Sequence, residues 1–283
     1  MDPLLVDQPT LFDAGRRAHV CVVIVAFNHL DTDCLVSIGR ALAQTKLTVD
    51  VVLVDNASTK INIREMAQQH LPQARVFIRD KNCGFGDSCN YGARQSDADY
   101  YFFLNPDTAL HQPDLFDRLY AYMQAHPDAA IASPKLLYPD GRLQENCKRF
   151  PAWYMPIVQR TALQRTAFGR RYADLFSMRD FDHAAERAVD WVQGSAMFVR
   201  AQAFRALDGF DLRFFMYFED IDLCRRAHKA GHRVMYVPEM SLLHVYAKES
   251  AKLPGIFQNI FRNKVARYHL KSWLRYEWKW KGK

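Results

Sequence analysis

Between His19 and Ala125 the chain alternates wholly apolar, β-branched runs with segments whose apolar residues recur at helical spacing. His19 to Ala26 (HVCVVIVA) predicts a strand, followed by a helix reaching about Gln44. Val49 to Val54 predicts a second strand with a helix over Ile63 to His70, and Arg75 to Ile78 a third with a helix over Asp87 to Arg94. Tyr100 to Leu104 is the fourth, and Pro113 opens a helix running to Ala125. Strands without polar alternation are buried on both faces, so the pattern predicts an α/β fold: a mostly parallel central sheet with helices on both faces. Ligands of such sheets bind beyond the carboxyl ends of the strands. Those ends are Phe27-Asn28, Asp55-Asn56, Asn82-Cys83-Gly84 and Asn105-Pro106-Asp107, and each has a polar residue suited to recognition.

After Ile131 the pattern changes. Pro139-Asp140-Gly141 predicts a hairpin turn. Phe150 to Glu186, rich in Arg and aromatic residues but without clean periodicity, reads as an insertion or lid. Val189 to Val199 reads as one strand, Ile221 to Ala230 as a helix stopped by Gly231, and Ser241-Leu242-Leu243 as a strand edge ending at His244. No internal repeat is evident.

The composition, 49% apolar and 24% charged over 283 residues, is that of a folded chain able to bury a full α/β core, which excludes disorder. No apolar run approaches the roughly 20 residues of a membrane span. The N-terminus, with Asp2, Asp7 and Asp13 and no apolar stretch, lacks the form of a signal peptide, so the cytoplasm is the expected compartment. Cys21, Cys34, Cys83, Cys89, Cys147 and Cys224 show neither C-x-x-C pairing nor zinc-ligand spacing, and read as packing residues. The net charge of +7 lies wholly in the tail, where Arg262 to Lys283 carries eight Lys or Arg against Glu277 alone. A formally neutral body argues against a nucleic-acid-coating protein and for a local contact with something anionic.

Several positions have chemistry to offer. Asn82-Cys83-Gly84-Phe85-Gly86, followed by Asn90 and Gly92, is a glycine-bearing loop entering a helix, where backbone N–H groups can approach a diphosphate. Its spacing fits neither the Rossmann nor the P-loop fingerprint, and a plain strand-to-helix turn reads equally well. Asp55 is either an Asx-turn residue or an acceptor for a nucleotide base or ribose. Asp107, beside Pro106, is a turn carboxylate or the one carboxylate a divalent cation needs when it sits on substrate phosphates. Glu219-Asp220-Ile221-Asp222 opens a helix, where acidic residues are stabilising regardless of function. The preceding Phe214-Phe215-Met216-Tyr217-Phe218 would nonetheless desolvate these carboxylates and raise their pKa towards the range of a general base, which the helix N-terminus opposes. His244 reads as a packed imidazole or a metal ligand. Trp191-Val192-Gln193-Gly194-Ser195 lines an acceptor or belongs to the core.

In sequence order these pieces resemble the family 2 glycosyltransferases of GT-A fold, in particular their bacterial rhamnosyltransferase-like branch. The matching motifs are Val25-Ala26-Phe27-Asn28, Val54-Asp55-Asn56-Ala57-Ser58, Asn82 to Gly86 with Asn90 and Gly92, and Leu104-Asn105-Pro106-Asp107. Gln193-Gly194-Ser195 and Phe218 to Leu223 with Arg225 and Gly231 complete the series. The resemblance spans residues 19–250. It implies an inverting, metal-dependent transfer from a nucleotide-diphospho-sugar, with Ala26, Phe27, Asn28, Asp55, Asn82, Gly84, Phe85 and Asn105 on the donor. It further implies Mg²⁺ or Mn²⁺ on Asp107 and His244, Asp220 as the base, and Trp191, Gly194, Ser195 and Glu219 around the acceptor. Two features depart from the family: Asn105 stands where a D-x-D motif has its first Asp, and Val245 to Ser250 lacks the glycines common there, leaving Lys248 as a cation for the diphosphate.

The domain organisation implied is an N-terminal extension over 1–18, a GT-A domain over 19–250 and a basic aromatic helical tail over 251–283. Within the GT-A domain the donor-binding half is about 19–110 and the acceptor-binding half about 111–250. The transfer implied is of L-rhamnose from dTDP-L-rhamnose onto a saccharide or polyprenyl-linked acceptor in cell-surface polysaccharide synthesis, with UDP-hexose or UDP-N-acetylhexosamine as alternative donors. A catalytically silent nucleotide-sugar-binding module is the alternative of another class. A nucleotidyltransferase is disfavoured because Phe27-Asn28-His29-Leu30 is not a glycine-rich basic loop. In the tail, Phe257, Ile260, Phe261, Val265 and Tyr268 form an apolar stripe for docking, which breaks down where Trp273, Trp278 and Trp280 mix with Lys and Arg. That mixture over residues 262–283 suits an anionic membrane surface, with a solvated, frayed terminus as the alternative; a polyprenyl-linked acceptor would place the contact on the cytoplasmic face of the inner membrane.

Overall fold

The computed structural model describes residues 17–245 and 264–282; the N-terminal acidic residues, Tyr246 to Ser250 with Lys248, and Phe257, Ile260 and Phe261 lie outside them. The first half runs β1 (Ala18–Ala26), α1 (Thr32–Leu42), β2 (Val49–Asp55), α2 (Ile63–His70), β3 (Arg75–Ile78), α3 (Phe85–Ala93), β4 (Ala98–Leu104), β5 (Thr108–Ala109) and α4 (Leu115–Ala125). The second half continues β6 (Ala129–Leu137), β7 (Leu143–Gln144), β8 (Cys147–Lys148), α5 (Met155–Arg160), α6 (Ala167–Phe176), β9 (Arg187–Ala188), β10 (Trp191–Val192), β11 (Ala196–Arg200), α7 (Ala201–Ala206), α8 (Glu219–Lys229) and β12 (Arg233–His244). A last helix, α9 (Lys264–Trp280), closes the described chain.

The main sheet has the order β3-β2-β1-β4-β11-β6-β12-β5. Its first four strands are parallel, as the alternation of strands and helices predicts. β11 then enters antiparallel between β4 and β6, and β12 lies parallel to β6. Period-two alternation divides β1 between two cores: Val20, Val22 and Ile24 face Leu35, Ile38 and Phe116, while Cys21, Val23 and Val25 face Cys89, Phe204 and Cys224. Gly92 is needed because a Cβ there would lie 2.5 Å from Val23 Cγ1, so only glycine lets α3 seat this deeply on β1. The hairpin at Pro139-Asp140-Gly141 forms as expected, with Leu137 paired to Leu143.

Three expectations change. Val189 to Val199 is two strands: β10 pairs with β8 in a separate ribbon, and the chain turns at Gln193-Gly194-Ser195 before β11 joins the main sheet. The Gln193 N–H donating to Asn146 O at 2.8 Å holds that turn. The insertion after Phe150 contains α5 and α6, fastened by Tyr154 on Tyr172 (ring centroids 5.2 Å apart) and by Phe176 on Trp191 (6.3 Å). Its aromatic side chains supply the core that a mixed composition hides from a periodicity search.

The third change is in the tail. Ala266, Ser272, Tyr276 and Trp280 are buried, so the apolar face of α9 continues beyond Tyr268 instead of ending there. Its anchor is Asp222, whose side chain is fully enclosed. The Trp280 indole N–H donates to Asp222 Oδ1 at 2.9 Å, Lys279 Nζ lies 2.6 Å from the same oxygen, and Arg226 Nε donates to Oδ2 at 2.7 Å. A sequence scan reads Lys279 and Trp280 as surface residues because their partner sits more than 50 positions earlier.

Removing one member of a buried ionic group strands the others, so Asp222→Ala should cost about 3–5 kcal/mol of stability. Trp278→Ala, at a position 79% exposed, should stay within roughly 0.5 kcal/mol of wild type. Urea unfolding midpoints for the two variants test this, and equal midpoints would remove Asp222 as the anchor.

Candidate functional site

At the carboxyl end of β4, Pro106 ends the ladder and turns the chain. The Asn105 N–H donates to Ser195 O at 3.0 Å, which joins this end of β4 to the turn before β11. β5 pairs with β12 so that His244 lies opposite Thr108. That register brings His244 Nε2 to 3.2 Å from Asp107 Oδ1 and 3.3 Å from Asn105 Nδ2. The His244 ring is buried, and its Nδ1 meets Gln144 Oε1. The Gln144 contact at Nδ1 turns the ring so that Nε2, the nitrogen a cation would bind, points at Asp107.

One carboxylate and one correctly oriented imidazole fit a divalent cation whose remaining ligands come from substrate phosphates and water. Among the described residues no group of three or more His, Cys, Asp or Glu side chains is placed to hold a metal without such help.

The loops at the ends of β1, β2 and β3 are knitted together. Asn28, at φ 57°, accepts from the Thr59 and Lys60 N–H groups at 2.7 and 2.8 Å. Asp55 is 6% exposed and its Oδ1 accepts from Ser58 N at 2.8 Å, an Asx-type contact that leaves the second carboxylate oxygen for other use. Ala26 is wholly buried and contributes only its carbonyl, which accepts from Asn56 N, whereas Phe27 is 45% exposed at the mouth. Asn56 donates to Asn82 Oδ1 and accepts from Cys83 N, each at 3.0 Å, and Asn82 Oδ1 also accepts from Gly84 N. Gly84 has φ +91°, and a Cβ on it would lie 2.2 Å from Phe215 O. The glycine is therefore required for the loop to lie against the segment before α8, and the Phe85 N–H donates to that same Phe215 carbonyl at 3.0 Å.

Opposite lies the start of α8. Tyr217 and Phe218 both have left-handed backbones, φ 68° and 70°, an uncommon and costly state for bulky residues. The strain turns Glu219 inward and leaves Asp220 half-buried at the mouth. Asp220 accepts from the Gly194 N–H at 3.0 Å through Oδ2 and from the Ile221 N–H at 2.8 Å through Oδ1. Desolvation raises its pKa, and these donors and the charge of Lys148 pull it back. Glu219 is 5% exposed and its Oε2 has no hydrogen-bond partner. Burial, then the neighbouring Asp220, pushes its pKa up to about 8. Both carboxyls are thus held above their ordinary range by burial, and Asp220 differs in having an N–H donor on each oxygen, which favours its charged form.

Two hydrogen bonds connect the Asp107 turn to the start of α8. Asp220 is tied to Gly194, and the next carbonyl, Ser195 O, accepts from Asn105 two residues before Asp107. Phe85 flanks the join, with its ring carbon 3.2 Å from where a Gly194 Cβ would be. Trp191 lies beneath this surface, 5% exposed and donating from its indole to Arg149 O, so its main environment is core. A cavity of about 890 Å³ lined by Arg94, Asp97, Tyr101 and Arg205 lies at the amino end of β4, away from these groups.

Two contributors were missed in the sequence, Gln144, which orients His244, and Lys148, whose charge acts on Asp220; Asn56, named at the end of β2 without a role, organises the loop after β3. Gln144 and Lys148 sit on two-residue strands that carry no periodicity signal. Asn56 adjoins Asp55, and its place at a strand's carboxyl end was the available clue.

Residues 17–266 match the family profile described as Glycosyltransferase like family 2. The rhamnosyltransferase WbbL of Escherichia coli K12 is 32% identical over 271 residues, covering 90% of this chain and 92% of that protein. An N-acetylglucosaminyl-diphospho-decaprenol L-rhamnosyltransferase of Mycobacterium tuberculosis is 31% identical over 225 residues, covering 75% of this chain and 71% of that protein. Among solved structures, GalNAc-T7 with UDP, GalNAc and Mn²⁺ superposes with a TM-score of 0.60 at 16% identity over 88% of this chain and 48% of that one, a likeness of fold alone. With a strand-end carboxylate beside an imidazole, a second carboxylate tied to the turn that holds that strand end, and a profile match over most of its length, this chain belongs to glycosyltransferase family 2, with a GT-A fold and rhamnosyltransferase relatives.

Proposed function

We propose that the protein transfers L-rhamnose from dTDP-L-rhamnose, with inversion, onto a polyprenyl-diphosphate-linked saccharide in cell-surface polysaccharide synthesis. The observation that carries this is the Asp220 carboxylate, fastened by the Gly194 N–H one residue from the Ser195 carbonyl that holds Asn105, which leads into the Asp107–His244 pair. The rhamnosyl group and the lipid-linked acceptor follow the relatives' activities, the dTDP carrier follows the family resemblance, and the division into a 19–250 catalytic domain with a 251–283 tail follows the motif order.

In this reading Asp55 and Asn28 border the nucleoside, with Phe27 offering a ring at the mouth. Asp107 and His244 hold Mg²⁺ or Mn²⁺, which when bound neutralises charge on the departing diphosphate. Asn105 donates no carboxylate, so the protein's own ligand set is small and donor phosphate completes it. The acceptor hydroxyl enters over Gly194 and Ser195, and Asp220 takes its proton as the oxygen bonds to the anomeric carbon and the bond to the diphosphate breaks. One displacement inverts the configuration. Gly194 and Ile221 fix the Asp220 oxygens, and the charge of Lys148 favours the ionised base. Glu219 borders the acceptor as a neutral acid.

The direct test is release of nucleotide diphosphate from a donor panel in the presence of a lipid-linked acceptor. dTDP-L-rhamnose should turn over, Asp220→Asn should lower kcat by roughly 10²–10⁴-fold while donor still binds, and Asp107→Ala should weaken metal-dependent donor binding. Preferential turnover of a UDP-sugar would replace the rhamnose assignment, and donor binding without any turnover would identify a silent module.

Glu219 yields a separate pH prediction. Its folded pKa of about 8 lies above the ordinary 4.5, so the folded chain keeps a proton that the unfolded chain releases. The proton's stabilising contribution is complete below 4.5 and is lost as pH rises to about 8. Glu219→Gln removes that dependence, so its melting temperature relative to wild type should climb across this window and be level below it. A constant offset at every pH would show Glu219 to be ionised in the fold.

A further inference from the structure

Of the eleven large apolar side chains exposed among the described residues, seven lie on the α5–α6 insertion and α9. On the insertion they include Trp153 (66% exposed), Ile157 (44%) and Phe168 (57%), with Arg165, Arg170 and Arg171 exposed among them; Asp174 is the one acidic residue between Pro151 and Phe176, and Asp180, Asp182 and Glu186 follow beyond α6. On α9 the outward positions are Lys264, Arg267, Lys271, Leu274, Trp278 and, just past its end, Lys281. These recur every three or four residues and therefore form one stripe along the helix, with four cations, two large apolar side chains and no carboxylate. The two elements adjoin. The Arg225 guanidinium lies over Phe150 at 5.2 Å and over Trp280 at 4.8 Å, and the Glu277 charge acts on Tyr172 of α6.

We propose that α5–α6 and the outer stripe of α9 form a single platform that seats the protein on the surface of an anionic lipid bilayer. The charge selects this occupant. A second copy of the chain would bring like-charged stripes together, and protein interfaces are depleted of charge at their centres. A bilayer carrying negative headgroups complements the cations, while Trp and Phe suit the boundary between headgroups and acyl chains. Among the described residues no helix is long and apolar enough to cross a membrane, so the contact is interfacial.

The inner face of α9 gives the platform a link to the crevice. Tyr268 packs on Phe215 at 4.5 Å, the Ser272 hydroxyl donates to Met216 O at 2.8 Å, and His269 packs on Tyr217 and Phe218. These are the residues whose backbone sets Glu219 and Asp220. One helix thus touches the lipid side and the segment holding the carboxylates, which places a lipid-linked acceptor's anchor and its reactive end on one body. That benefit rests on the polyprenyl-linked acceptor proposed above; the surface itself does not.

The test is flotation of the full-length protein with vesicles of phosphatidylcholine alone or containing phosphatidylglycerol. The expected result is binding to the anionic vesicles, weakened by salt. Leu274→Glu with Trp278→Glu, and separately Trp153→Glu with Phe168→Glu, should each lower partitioning by roughly tenfold. Both double variants should keep the wild-type melting temperature, because the positions are exposed. Equal binding to both vesicle types, no change in either double variant, or a dimer that the same substitutions dissolve would overturn the proposal. Donor turnover measured with a water-soluble acceptor separates the two readings. Turnover without flotation removes the platform and leaves the transferase; flotation without turnover does the reverse.

Discussion

The turn at Gln193-Gly194-Ser195 is the point on which the crevice depends. Gly194 N–H holds Asp220, Ser195 O receives the Asn105 N–H, and the adjoining β10 is paired to the strand bearing Lys148. Three segments far apart in the chain are therefore indexed to one stretch of backbone. A continuous strand from Val189 to Val199 would spend these N–H and C=O groups on its neighbours in the ladder. Breaking the strand frees them for the site.

The carboxylates on the far side show how local strain and burial divide labour between chemically similar groups. Two consecutive left-handed residues, Tyr217 and Phe218, end the aromatic run and start α8 at an angle that buries Glu219 and leaves Asp220 reachable. Hydrogen-bond donors then favour charge on Asp220, while burial and the neighbouring Asp220 push the Glu219 carboxyl, whose Oε2 lacks a partner, up to about 8. Residues of α9 hold this strained segment, and the helix is itself fixed through Asp222. The tail is thus part of the support of the site and not an appendage to it.

Much was legible along the chain because some physical constraints are local. Apolar β-branched runs separated by helical periods specify a covered parallel sheet, and strand carboxyl ends mark where its ligand groups gather. Asn28, Asp55, Asn82, Asp107 and the Glu219-Asp220 pair were identified from position and residue type, and all lie at the same end of the sheet or face it. The family resemblance rested on the order of those motifs, and the profile match spans the same region.

Tertiary structure decided what no local pattern encodes. The pairing of His244 opposite Thr108 sets an imidazole beside Asp107, which requires a strand register between residues more than 130 positions apart. Asp222 reads as one acid among three at a helix start, yet burial makes it the anchor of α9 while Asp220 faces the crevice. Trp273, Trp278 and Trp280 look alike in sequence, and only the docking angle of the helix sends Trp280 to Asp222 and Trp278 outward. The chain by itself determined the elements and the chemistry available at their ends. Which groups meet, and with what charge, depended on packing, because desolvation and hydrogen bonding are properties of the assembled surroundings.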